Sequence, residues 1–95
     1  MEPKEELQTA ADALTRARRR FARGEEGLRL LRQSREAFIN SLRNTGLTYS
    51  EAKTKYDNCL EEQEAEQARV LEDLRYAERV YQYVVARIAQ PAGQD

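Results

Sequence analysis

The sequence predicts an all-α protein: two long antiparallel helices forming a coiled-coil-like helical hairpin, with two copies paired into a four-helix bundle dimer. Three observations predict it. Apolar residues recur in alternating steps of three and four through both halves of the chain. A single tight turn signal separates those halves. Charged residues make up 35% of the chain and hydrophobic ones 40%, with no Trp, which suits one narrow seam better than a globular core.

The first helix is expected over residues 3–45. Pro3 is tolerated in a first turn because its missing N–H needs no partner there, and Glu5 and Glu6 favour the positive end of the helix dipole. The seam then reads Leu7, Ala10, Leu14, Ala17, Phe21, Gly24, Leu28, Leu31, Arg35, Phe38 and Leu42. Gly24 and Arg35 are poor seam residues. Gly24 and Gly27 each cost a helix interior up to about 1 kcal/mol relative to Ala, so they are the places where this helix would break. The heptad stays in phase across them, so the helix is expected to continue rather than split into a three-helix bundle, with the glycines allowing close approach of a neighbouring backbone or a mild bend.

The turn occupies 46–48. Gly46 suits the left-handed position just past a helix end, and Leu47 can pack back on Leu42. Thr48-Tyr49-Ser50-Glu51 reads as a capping box that starts the next helix. So short a connection makes antiparallel neighbours. The second helix is expected over 49–89, with Tyr49, Lys53, Tyr56, Leu60, Gln63, Gln67, Val70, Leu74, Ala77, Tyr81, Val84 and Ile88 on its seam. Pro91 ends it, because the residue before a proline is pushed out of helical geometry. The hairpin thus forms a single domain over 1–90, and 91–95 are expected to be a disordered tail.

Chemistry is hard to build from this inventory. There is no histidine, so the commonest general base and the usual zinc sites are missing. The expectation is no enzyme, no cofactor and no metal. The run Glu61, Glu62, Glu64, Glu66 reads as a solvated acidic face, and the lone Cys59 as a small apolar filler in a reducing compartment. Met-Glu-Pro-Lys-Glu-Glu lacks the apolar run of a secretory signal, and no stretch approaches the ~20 apolar residues of a membrane span. The expected setting is cytoplasmic, without a membrane partner.

Charge is unevenly divided. Residues 1–48 hold ten basic and seven acidic side chains, for +3; residues 49–95 hold six and ten, for −4. Most of that reads as mutual attraction of the two helices. Arg16, Arg19, Arg20 and Arg23, however, fall within about a third of the helix circumference and opposite the seam, so the acidic helix cannot neutralise them fully. Beside the second seam, Tyr76, Val80 and Tyr83 form another stripe at i, i+4, i+7, with Val85 and Ile88 extending the apolar surface. A two-helix hairpin covers one stripe, not two.

In shape and charge density the outline resembles the rod-like helical hairpins of flagellar and type III export. In length and turn position it is similar to the small hairpin substrates of type VII secretion, although no Trp lies at the turn around Gly46. Neither resemblance implies a functional residue.

These features point to a non-enzymatic protein–protein interaction module: an adaptor, chaperone or inhibitor of a larger complex. The many Arg and few Lys suit a bacterial or phage-encoded protein. Candidate partner-binding residues are Tyr76, Val80, Tyr83 and Val85, with Arg16, Arg19, Arg20 and Arg23. The partner is expected to be a second copy, with a larger complex also possible. The alternative is a nucleic-acid-associated protein that uses the arginine stripe.

Overall fold

Pro3 opens the first helix as its position predicts, with Glu5 and Glu6 in the first turn. The structure, a computed structural model, describes residues 2–90. These form three α-helices and no strand: α1 (Pro3–Gln33), α2 (Arg35–Arg43) and α3 (Tyr49–Ala89). The tail expected over 91–95 lies outside the described residues.

The single first helix expected over 3–45 is corrected by this arrangement. Its interruption falls at neither glycine, since α1 runs through both Gly24 and Gly27. It falls at Ser34, whose backbone turns to φ −94°, ψ 16°. Rather than capping α2, the Ser34 hydroxyl bonds backwards to the carbonyls of Leu30 at 2.7 Å and Leu31 at 3.4 Å. A serine that competes in this way with the backbone ladder loosens and bends a helix. The amide bonds Ser34 N–H to Leu30 and Phe38 N–H to Ser34 persist, so the disturbance stays local.

α2 stops at Arg43, two residues earlier than expected. The Thr45 hydroxyl and amide both donate to the Leu42 carbonyl, which tightens the last turn. Gly46 then takes the left-handed conformation, φ +105°. The capping box forms in both directions: Glu51 N–H donates to the Thr48 hydroxyl at 3.1 Å, and Thr48 N–H to the Glu51 carboxylate at 2.9 Å.

The described residues divide into two compact units, 2–22 with 70–90, and 23–69. In the second, the core is Ile39, Ala52 and Tyr56, with Leu31, Phe38, Leu42, Leu47 and Leu60 packed around it. The Tyr56 hydroxyl donates to the Leu31 carbonyl at 3.0 Å, and its ring meets Phe38 edge-on at 5.5 Å. Arg35, half-buried, lays its guanidinium 5.7 Å from the Tyr56 ring centre, so a poor seam residue becomes a cover for the core. Three expected seam positions of this unit are overturned: Tyr49, Lys53 and Gln63 are exposed, and Ala52, between the first two, is buried. Ile39 is buried completely, more deeply than its expected neighbour Phe38. Ile39 and Ala52 share one cluster, each one residue away from an expected seam position.

Gly24 belongs to the same unit. Its missing Cβ makes room for the side-chain amide of Gln67, which any Cβ there would overlap. The expected close neighbour is therefore a side chain and not a backbone. Gln67 is buried and donates to the Glu25 carboxylate at 3.0 Å. Gly27 faces open space.

In the first unit, Ala10, Leu14, Val70 and Val84 are buried, flanked by half-buried Leu7, Ala17, Phe21, Leu74, Ala77 and Tyr81. Glu6 pairs with Arg87, and Arg20 with Asp73 at 3.4 Å, so the two helical stretches of this unit run in opposite directions.

Candidate protein-docking face

Period-seven spacing on α3 decides which side chains the first unit leaves outside. Val84 turns inward to the core, and Val80, on its flank, is half-buried. Tyr76 and Tyr83, about two helical turns apart, remain 63% and 65% exposed on either side of Val80. Neither ring is bare. The Arg79 guanidinium lies 6.0 Å from the Tyr76 ring centre, and that of Arg87 lies 5.8 Å from the Tyr83 ring centre. Each ring thus presents an apolar edge beside a fixed positive charge.

Val85 does not join this stripe. At 100° per residue it sits about 160° around the helix from Tyr83. Val85 and Ile88 are each 38% exposed, but Val85 faces away from the tyrosines, so the expected continuous apolar surface is split.

The arginines are also redistributed. Arg20 bridges to Asp73 and is therefore not one of four unneutralised charges. Both partners are more than half exposed, so the bond is worth little energetically, and its value here is as a register mark. Among the described residues, no ion pair engages Arg16, Arg19 or Arg23. Arg16 and Arg19 lie in the first unit, whereas Arg23 begins the second.

Register brings together what sequence spacing kept apart. The contacts Glu6–Arg87 and Arg20–Asp73 lie seven residues to either side of Ala13 on α1 and of Val80 on α3. Ala13 and Val80, both half-buried, therefore sit opposite each other on the flank that carries the tyrosines. Arg16 follows Ala13 by three residues and is exposed. The face consists of Tyr76, Val80 and Tyr83 with Arg79 on one bank, Ala13 and Arg16 on the other, and an ion pair at each end. Arg79, Arg87 and Ala13 escaped the sequence reading. A heptad count across the turn, pairing flanking positions of one helix with those of the other, is the signal that contains them.

Elsewhere the chemistry is sparse. Among the described residues no group of three or more His, Cys, Asp or Glu is placed to hold a metal ion. In the acidic run, Glu64 pairs with Arg32 at 2.9 Å and Glu66 with Arg69 at 2.5 Å. The Cys59 thiol is free and half-buried. No described helix is long and apolar enough to cross a membrane. No protein-family model, curated protein or solved structure matches the chain at a significant level.

Proposed function

We propose that this chain is a non-enzymatic protein-interaction module, a helical hairpin that docks on another protein as an adaptor, chaperone or inhibitor. The observation that carries this reading is the pair Tyr76 and Tyr83, 63% and 65% exposed on one face of α3. Tyrosine is favoured where an interface half-buries a side chain, and each ring can bury on the order of 150–250 Å². The absence of histidine from the sequence supports the non-enzymatic part of the reading. Opposed helix directions within each unit support the hairpin. Two copies packed on this face as a four-helix bundle are the homotypic form of the same proposal. The setting we propose is the cytoplasm of a bacterium or of a phage-infected cell, where the arginine-rich composition fits and the Cys59 thiol stays reduced.

A photo-crosslinking residue at position 83, with position 85 as its control, tests this in the native host. The expected result is discrete adducts from position 83 that protease removes and nuclease leaves intact. Adducts lost only to nuclease would transfer the reading to nucleic-acid association, which the unpaired Arg16 and Arg19 favour. No adduct at position 83 would end it.

A further inference from the structure

The docking-face reading leaves the occupant open. We infer that it is a second copy of the chain, related by a two-fold axis that runs parallel to the helices. In that arrangement α1 of each copy lies on α3 of the other, Asp12 meets Arg79, and Arg19 meets Glu72. This rests on the proposal that the face is a docking site and deepens it by naming the partner and its orientation.

The charges beside the face are balanced but kept apart. Asp12 and Arg19 stand one heptad apart on α1, and Glu72 and Arg79 one heptad apart on α3. All four are exposed. Among the described residues none of them enters an ion pair: Asp12 accepts from Gln8 at 2.9 Å, and Arg79 meets the Tyr76 ring. Each immediately precedes a residue that flanks the existing seam, namely Ala13, Arg20, Asp73 or Val80. One residue back is about 100° farther from the seam. Within one copy the two charged rows therefore point away from each other.

The register inside one copy sets what two copies would bring together. Ala13 stands level with Val80, so Asp12 and Arg79 lie about 3 Å apart along the axis of the antiparallel pair. Arg19 and Glu72 have the same small offset, one residue before the bonded Arg20 and Asp73. A two-fold axis parallel to the helices preserves these levels and lays the α1 row of one copy beside the α3 row of the other. Aspartate then meets arginine, and arginine meets glutamate, twice per dimer. Glu5 comes level with uncharged Ala86. Arg16 comes level with Tyr76 of the second copy and covers that ring.

The same axis organises the middle of the face. Ala13 and Val80 of both copies form one apolar layer. Glu6 and Arg87 alternate in sign around the layer on one side of it, and Arg20 and Asp73 around the layer on the other. Tyr76 and Tyr83 bury ring edges at the rim and keep their hydroxyls in water.

A two-fold axis running across the helices would instead set α1 on α1 and α3 on α3. Centred on Ala13 and Val80, it puts Asp12 beside Asp12 and Arg79 beside Arg79, and like charges oppose it. Exposed ion pairs are weak. They select the orientation, while burial of Tyr76, Val80 and Tyr83 drives the association.

Light scattering on the full chain should give twice the 11.0 kDa chain mass at high micromolar concentration. Asp12→Arg and Arg79→Asp, both at exposed positions, should each weaken the dimer about tenfold, because two pairs per dimer become repulsive. Combined in one chain, they should restore it to within about threefold of the wild type, since each exchanged charge regains its opposite. Circular dichroism verifies that every variant is folded. A wild-type monomer at that concentration overturns the inference. So do single variants that dimerise as well as the wild type, the result expected of the crosswise axis, or a double variant no better than the singles. Each of those results leaves the docking face standing where the crosslink at position 83 captures a different protein. Failure of that crosslink removes the face and this inference together.

Discussion

Two glycines three residues apart in α1 have opposite surroundings. A Cβ at Gly24 overlaps the buried Gln67 amide, while one at Gly27 meets nothing within 4 Å. Gly24→Ala is therefore expected to destabilise the protein by about 0.5–1.5 kcal/mol, the usual worth of a hydrogen bond, because the Gln67 amide must swing away from Glu25. Gly27→Ala should stabilise it by up to about 1 kcal/mol, because alanine is the better helix former and nothing opposes it. Urea denaturation of the two variants checks both signs. Adding Gln67→Ala to Gly24→Ala should recover part of the loss, since the added methyl then has space. From sequence, Gly24 and Gln67 read as two separate interruptions of the seam. Each was legible as an anomaly. That they answer each other was not, because the match depends on a cross-helix register that neither heptad contains.

Start and stop signals were the most legible elements, and the Thr48–Glu51 box makes a pH-dependent prediction. The Glu51 carboxylate accepts the Thr48 amide N–H, which holds its pKa below the ordinary 4.5. A folded-state pKa below the unfolded one adds stability that is present above the unfolded value and is lost as pH falls through the folded value. Glu51→Gln removes that titration, so the wild type's advantage over it should shrink as pH drops below about 4.5. Parallel stability curves for the two proteins across that range would show that the box does not contribute through its charge. Ser34 was illegible by contrast. An exposed serine inside a helical pattern is ordinary, and only its hydroxyl's turn toward Leu30 distinguishes it. Ile39 lies past that break, and a heptad count assumes an uninterrupted helix.

At the scale of the whole molecule, the opposite charge of the two halves was expected to draw the helices together. The ion pairs between α1 and α3 do include Arg20–Asp73 and Arg32–Glu64 with that polarity, but Glu6–Arg87 reverses it. The side chains involved are partly to largely exposed. Pairs of this kind contribute about 0–1 kcal/mol each. Raising sodium chloride from 50 mM to 1 M should accordingly cost no more than about 2 kcal/mol of stability. A larger loss would mean that charge, rather than the apolar seam, joins the helices. The candidate face was half legible for a related reason. Its tyrosines follow from spacing on one helix, whereas the meeting of Ala13 with Val80 follows from the pairing of two.

The burial of Tyr56 gives the protein a native optical marker. The chain has no tryptophan, so its near-ultraviolet signal comes chiefly from five tyrosines. Tyr56 is 2% exposed and fixed by its bond to the Leu31 carbonyl, whereas Tyr76 and Tyr83 stand in water. An immobilised ring in an asymmetric setting gives strong near-ultraviolet circular dichroism, and freely solvated rings give little. That band therefore reports chiefly the order around Tyr56, with a share from half-buried Tyr81, without any label. Tetranitromethane, which modifies accessible phenols, should mark Tyr76 and Tyr83 early and Tyr56 only when that part of the chain opens. Nitration of Tyr81, half-buried in the first unit, and of Tyr56 in the second thus follows the opening of each unit separately.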